Sequence, residues 1–464
     1  MTTIAIVGAG PAGLRAAEQI VAAGLRPVLI DEAPRIGGQV YRQPPPALQR
    51  PPKALYGFAA PRALALFERW NALRPQVDHR PETLVWQIEG RTLHLLQQGR
   101  PETLPFDALL LATGATDRVL PFPGWTLPGV FTLGAAQVLL KAQATRIGPR
   151  VAFAGTGPLL YLVAWQYLQA GGTVQAVLDA APPDAPRRAL PALLASRPAL
   201  ALQGALLLAR LRAAGVPVRR GVRLLRAEGD GRVQRLHWQA PGAPERITDC
   251  DAVAFGHGLR SETQLADLAG CAFEWDAVDE AWAPSCDAQG RSSVAGVYLA
   301  GDGAAIRGAD AAESAGARAA QALLQDLGRA GAQPASPSPP SHEGWRHAIK
   351  TLAPLPADWA AQAPDELIVC RCEEISAGEL RACVRDTGTQ ELNRLKALTR
   401  IGMGRCQGRI CGAAAARLLT HAAGVPLAEA GRLRTQPPVK PVPIAALAMT
   451  APPAAPVPAE ERDD

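Results

Sequence analysis

Four consecutive apolar residues, Ile4-Ala5-Ile6-Val7, carry no polar alternation and predict a strand buried on both faces. The Ala-rich stretch Leu14–Ala23 predicts the helix that follows, and Pro27–Ile30 a second strand. Farther on, Thr83–Ile88, Thr92–Leu96 and Ala108–Ala112 predict a short meander. The opening pattern then returns: Val151–Ala154, a helix, and the strand Thr173–Leu178. A second meander is expected over Val216–Ala254, and its last stretch, Asp251 to Gly258, lines up with Asp107 to Gly114. A buried strand, Val297–Leu299, and a small-residue helix, Ala311–Leu324, close the first unit.

What lies between strand and helix gives the pattern its chemistry. Gly8-Ala9-Gly10-Pro11-Ala12-Gly13 is a Gly-x-Gly-x-x-Gly turn: Gly8 makes the tight turn, Gly10 admits a pyrophosphate, and Gly13 lets helix and strand pack closely. Phosphates then meet free amides at the helix start, with Pro11 and Ala12. Asp31 and Glu32 end the second strand, where a carboxylate meets ribose hydroxyls, and Asp31 is favoured because it closes the strand. Gly38 and Gln39, in the stretch Gly37–Arg42, and Ala112-Thr113-Gly114 are also expected at the cofactor. In the second turn, Gly155-Thr156-Gly157-Pro158-Leu159-Leu160, Leu160 replaces the third glycine, while Asp179 ends the next strand. NAD or another nucleotide on Gly155, Gly157 and Asp179 therefore stands open against a scaffold that has lost its nucleotide. The fold class is α/β: tandem Rossmann-like dinucleotide-binding domains, the second inserted in the first. Residues 1–120 and 287–330 form the first and 121–286 the second, with a crossover at Leu120–Gly124.

Composition narrows the function. The chain has 464 residues, enough for several cores, and a net charge of +6 that comes from scattered arginines, not from a nucleic-acid-binding cluster. No charged n-region precedes an apolar h-region ahead of the first strand, so no leader is expected, and the longest uncharged apolar stretch, about Pro198–Ala209, is too short to cross a bilayer. A cytoplasmic location with reduced cysteines is expected. No Cys-x-x-Cys or Cys-x-x-x-x-Cys occurs in the first half, which argues against thiol–disulfide reduction. Cys250, Cys271 and Cys286 are expected as buried small hydrophobes, and His257 in a structural role.

Residues 331–364 are rich in Pro, Ser and Ala and read as a linker or surface strap. Beyond it Cys370 and Cys372 form one close pair, Cys406 and Cys411 another, with 33 residues between Cys372 and Cys406. Two short helices are expected there, the first capped by Ser376 with Glu379, the second from about Thr389. Cys383 falls on an apolar face with Leu380 and Val384 and is left out of the ligand set. Four thiolates so placed can hold a metal centre, either zinc or iron–sulfur, with Arg371, Arg405 and Arg409 to offset its charge. Residues 426–464 are expected to form a flexible tail.

Three resemblances sharpen this reading. The returning Gly301-Asp302 turn resembles that of two-dinucleotide-domain flavoprotein reductases, which implies that Gly301 and Asp302 contact FAD. The cysteine spacing over about Asp365–Gly424 resembles the bacterioferritin-associated ferredoxin-like domain. It implies a [2Fe-2S] cluster on Cys370, Cys372, Cys406 and Cys411 in a small helical domain, 365–425. The whole chain to about Gly424, the stretch Gly37–Arg42 included, is similar to the alpha subunits of bacterial amine-oxidising dehydrogenases. These include opine oxidases, D-hydroxyproline dehydrogenase and hydrogen cyanide synthase, with sarcosine oxidase alpha more distant. That resemblance implies an electron-transfer subunit whose substrate is oxidised on a flavoprotein beta subunit, together with a downstream acceptor and a small [2Fe-2S] gamma subunit. FMN at a subunit boundary and membrane association through partners are further implications, and no catalytic residue is assigned to this chain. The competing reading is a self-sufficient NAD(P)H-dependent reductase that passes electrons through the cluster to a ferredoxin or haem acceptor.

Overall fold

The computed structural model describes residues 2–48, 50–329 and 340–450. Its frame is a pair of five-stranded, all-parallel sheets of one design. The first runs in the order Val297–Leu299, Ala108–Leu111, Ile4–Val7, Val28–Ile30, Asp78–Arg80. The second runs Val218–Arg220, Thr173–Asp179, Arg150–Thr156, Ala252–His257, Val130–Thr132. In each, the strand that feeds the glycine turn lies at the centre: Ala5 pairs with Val28 on one side and Leu109 on the other, and Phe153 with Val177 and Ala254. Central strands are buried throughout because helices cover one face and an antiparallel meander the other, which is why they read as unbroken apolar runs.

Each sheet carries a three-stranded antiparallel meander, and here the expectation needs correction. The first meander is Thr83–Glu89, Thr92–Gln97 and Arg100–Pro105, while Ala108–Leu111 belongs to the parallel sheet. Arg100–Pro105 is mostly exposed and polar, so it left no hydrophobic trace. The second meander is Arg223–Glu228, Arg235–Gln239 and Glu245–Asp249. The two units are joined by Ala115–Asp117 and Leu259–Ser261, antiparallel strands that pair Ala115 with Ser261 and Asp117 with Leu259.

The cysteine-bearing unit is a two-strand ladder, Ile368–Cys370 with Ile375–Ser376, and helices Ala377–Thr387, Leu392–Thr399 and Gly412–Ala423. Ser376 and Glu379 form the expected capping box.

Two stretches expected to be irregular are not. Of the linker, 331–339 lies outside the described residues. Pro340–Leu352 is a helix that sets Ala348, Trp345, Ile349 and Leu352 against Ala189 and Leu193. Its apolar spacing of three and four was present in the sequence, hidden by the proline-rich flank. Residues 426–450 are held as well: Arg432 binds both oxygens of Asp267 at 2.6 and 2.7 Å, and Val439 N–H donates to Trp86 O at 3.0 Å. Composition hid these contacts because their partners are distant in sequence. The rest of the tail, 451–464, lies outside the described residues. Cys250 and Cys271 are buried as expected, but Cys286 is exposed at the edge of a turn. No helix among the described residues is long and apolar enough to cross a membrane.

Candidate functional site

The first glycine turn separates what the fold needs from what a ligand needs. A Cβ on Gly8 would fall 2.3 Å from Ala112 O, and one on Gly13 would fall 1.8 Å from Gly8 O, so both must be glycine for packing alone. Gly10 has no such constraint: its φ is −79°, and a Cβ there would meet nothing nearer than Gly38 Cα at 3.6 Å. The protein leaves room at Gly10 that it does not use. Gly10 is also the N-cap of helix Pro11–Ala22 and offers no side-chain cap, so the first amides are open to an anion.

Other predicted residues converge on this turn. Gly37 N–H donates to Ala9 O at 2.8 Å, which brings Gly38 against Gly10, while Gln39 Oε1 accepts from Arg42 at 2.9 Å. Asp31 accepts from Ala9 N–H at 2.6 Å and Ala33 N–H at 2.7 Å, and burial raises its pKa against those two amides. Glu32 instead turns outward to Lys440. From the far side, Gly301 packs on Ala12 and Gly303 on Thr113, so the Gly-Asp loop closes the cradle. Asp302 does not cap its helix. Its Oδ1 accepts from Arg307 N–H at 2.9 Å and Gly308 N–H at 3.1 Å, and Oδ2 accepts nothing among the described residues. Burial raises this carboxyl as well. A polar, amide-lined cradle with an unused acceptor fits a dinucleotide's pyrophosphate and sugar hydroxyls.

The second turn is assembled differently. Gly155 and Gly157 hold positive φ, and helix Pro158–Gln169 again starts without a side-chain cap. Leu160 is fully buried. Asp179, however, is already satisfied: Tyr161 Oη donates to it at 2.5 Å and Ala181 N–H at 2.9 Å, and Arg220 lies at 3.6 Å. The Arg220 guanidinium also stacks over the Tyr161 ring, 5.6 Å from its centroid.

Cys370 ends a strand, Cys372 follows in the turn, and Cys406 and Cys411 flank the loop before helix Gly412–Ala423. The four thiols are in mutual contact, Cys411 with Cys370 and Cys406, and Cys406 with Cys372. Contact with Cys411 and nearby backbone amides holds Cys370 down to about 6 and Cys406 to about 5, while Cys411 is pushed up. Backbone amides of Cys372, Glu373 and Gly402 face Cys370, and those of Gly408 and Ile410 face Cys406, the donor set that a thiolate-bound centre uses. Among the described residues no His, Cys, Asp or Glu group is arranged to grip a single metal ion. Four cysteine thiolates are the ligand set of a [2Fe-2S] cluster. Cys383 lies half-buried on the packed side of its helix.

The arginines differ from expectation. Arg409 is engaged by Glu262 at 2.6 Å and by Val439 O at 2.7 Å, and Arg371 sits over the Trp125 ring. Arg260 is the base beside Gly412. Neither Arg260 nor Glu262 stood out in the sequence. Their only signal was position, just after Gly258, where the second unit mirrors Gly114. Glu262 also bonds the first unit, accepting from Thr113 Oγ1 through its carbonyl at 2.6 Å and donating its N–H to Gly114 O at 2.9 Å. His257 is buried with Nδ1 unpartnered and is pushed down to about 4 by burial and by Arg118 and Arg417, so it stays neutral.

Residues 2–319 match the family model described as pyridine nucleotide-disulphide oxidoreductase. The chain belongs to that family. Residues 368–421 of this family member match the BFD-like [2Fe-2S] binding domain, a span that holds all four cysteines. An opine oxidase subunit of Rhizobium meliloti is 36% identical over 450 residues, covering 92% of this chain and 84% of that protein. Hydrogen cyanide synthase subunit HcnB of Pseudomonas aeruginosa is 34% identical over 423 residues, covering 88% and 90%. Among solved structures, L-proline dehydrogenase from P. horikoshii superposes with a TM-score of 0.70 at 22% identity, covering 96% of this chain and 79% of that one, which shows a shared fold. This oxidoreductase thus joins a domain that implies FAD to one that implies a [2Fe-2S] cluster.

Proposed function

We propose that this chain is the FAD- and [2Fe-2S]-bearing electron-transfer subunit of a multi-subunit oxidase or dehydrogenase acting on a C–N bond of an opine, hydroxyproline or related amino acid. Substrate oxidation belongs to a partner flavoprotein subunit; a downstream acceptor and a small [2Fe-2S] subunit complete the assembly. Flavin supplies exchange of one or two electrons and the cluster exchange of one, so a chain with both converts a two-electron oxidation into single-electron transfers.

The observation that carries this reading is the stretch Glu262–Gln264, which is bonded to both predicted centres. It meets Thr113 and Gly114 at the cradle, and it meets the cysteine loop through Glu262 to Arg409 and Gln264 Nε2 to Gln407 O at 2.7 Å. In the proposed roles, Gly10, Pro11, Ala12 and Gly13 receive the pyrophosphate and Asp31 the ribose. Gly38, Gln39, Ala112, Thr113, Gly114, Gly301 and Asp302 line the remainder, and Cys370, Cys372, Cys406 and Cys411 hold the cluster. The relatives named above are subunits of opine oxidase and hydrogen cyanide synthase, which supports a partner-dependent role. The saturated Asp179 carboxylate weighs against NADH as the electron source.

Purification of the tagged chain from its native host, with mass spectrometry of what accompanies it, tests the assignment. A second flavoprotein and a small iron–sulfur protein should co-purify. A chain that comes alone and bleaches its flavin with NADH would establish the self-sufficient reductase instead.

A further inference from the structure

A cavity of about 110 Å3 lies where the joining strands, the hairpin 273–284 and the start of helix Gly412–Ala423 meet. None of the glycine-turn or Gly-Asp residues lines it, so it is separate from the dinucleotide cradle. Its wall carries Arg118, Arg260, Arg417, Arg432, Asp279 and Glu280. Four of these six already have partners. Glu280 pairs with Arg417 and, at 2.7 Å, with Lys350; Asp279 pairs with Arg346 at 2.8 Å; Arg432 is held by Asp267.

Arg118 and Arg260 are left over. Among the described residues neither guanidinium makes an ion pair or a hydrogen bond, and Arg118, only 7% exposed, keeps Nη2 buried without a partner. A guanidinium cannot shed its proton to relieve burial. Asp279 and Glu280 share the wall but are held by Arg346, Arg417 and Lys350, and the Arg118 Nη2 is left without an acceptor. The neighbouring His257 stays neutral chiefly because it is buried, with Arg118 and Arg417 adding to the effect. The start of helix Gly412–Ala423 adjoins the cavity with Ala413 in its lining and no side-chain cap, while Gly412 N–H is taken up by Gly408 O at 2.9 Å. A single water occupies roughly 10–15 Å3 of such space, so the cavity has room for a group the size of phosphate or a small carboxylate.

We propose that this cavity binds a small oxyanion, phosphate or carboxylate, gripped between Arg118 and Arg260 at the start of helix Gly412–Ala423. The cavity is lined by none of the residues proposed to hold FAD and by none of the four cysteines, although Arg260 and the helix start adjoin Cys411. A bound oxyanion gives the buried Arg118 Nη2 the acceptor that the surrounding side chains do not supply.

Isothermal titration calorimetry on the purified full chain at constant ionic strength tests this, with inorganic phosphate and acetate as separate probes. Wild type should bind one of them saturably, and the preferred probe identifies the anion class. Arg118→Met should weaken that binding by at least about tenfold, with Arg118→Lys falling between. Should Arg118→Met not fold, Ala416→Asp places a carboxylate in the cavity wall and should abolish binding. Absence of saturable binding of either probe by wild type below about 10 mM would overturn the proposal, as would unchanged affinity in Arg118→Met or Ala416→Asp.

Discussion

Gly10 and Gly13 are three residues apart, yet their substitutions should fail in different ways. Gly13→Val forces a Cβ into Gly8 O and should destabilise the chain by on the order of 3 kcal/mol or more, seen as a large fall in Tm. At Gly10 an added Cβ makes only ordinary contact with Gly38 Cα at 3.6 Å, so Gly10→Val should fold and yet release FAD, read as flavin absorbance per chain. Full flavin occupancy in a folded Gly10→Val would remove the cradle assignment. Cys411→Ser should lose the reduced-cluster EPR signal and bound iron while keeping flavin; an unchanged signal would mean the ligands are wrongly chosen. Lys141 offers a test of pH dependence. Its Nζ is buried against Val40 O at 2.9 Å, and burial pulls its pKa down to about 7. Between pH 7 and about 10 the unfolded chain holds a proton that the folded chain lacks, so stability should rise with pH across that window. Lys141→Met should flatten the rise and add on the order of 1–3 kcal/mol at neutral pH, checked by urea unfolding at several pH values. Side chains with motif chemistry, the glycines and cysteines, could be picked out from sequence because their spacing is their function. Arg260, Glu262 and Arg118 could not, because what matters in them is the partner each has or lacks across the fold.

The elements that were legible are those whose pattern is set by burial. Ile4–Val7 and Ala252–His257 are buried throughout and read as unbroken apolar runs, and the Ser376–Glu379 capping box announces its helix. Arg100–Pro105, with two prolines and two charges, gave nothing to read. Pro340–Leu352 and 426–450 were hidden for a related reason: they are tied down by Arg346 with Asp276 and by Arg432 with Asp267, contacts that composition does not encode. The stretch Glu262–Gln264 is the element on which coupling depends. Arg409 and Glu262 are each only 14% exposed, so Glu262→Ala strands a largely buried guanidinium, at a cost of about 3–5 kcal/mol to the local seam. The backbone bonds of Glu262 to Thr113 and Gly114 remain in that variant. It should therefore keep flavin but surrender iron to a chelator faster than wild type, and equal rates would show that the ion pair does not secure the cysteine loop.

At the scale of the whole molecule, repetition did most to reveal the fold. Two sheets of identical design, each with a glycine turn on its central strand and a meander alongside, carry strand patterns that align residue by residue along the sequence. Chemistry then diverged between the copies. The first keeps an open cradle, whereas in the second Tyr161 and Arg220 close over Asp179, residues whose meeting depends on three separate elements. The proposed function places a two-electron and a one-electron centre on one chain. Anaerobic reductive titration of the purified chain with dithionite, followed by visible absorbance and EPR, measures this directly. Uptake of two electrons by flavin and one by a [2Fe-2S] cluster is expected, with a cluster EPR signal that disappears in Cys411→Ser. Uptake by flavin alone, with no EPR-active iron in wild type, would contradict it.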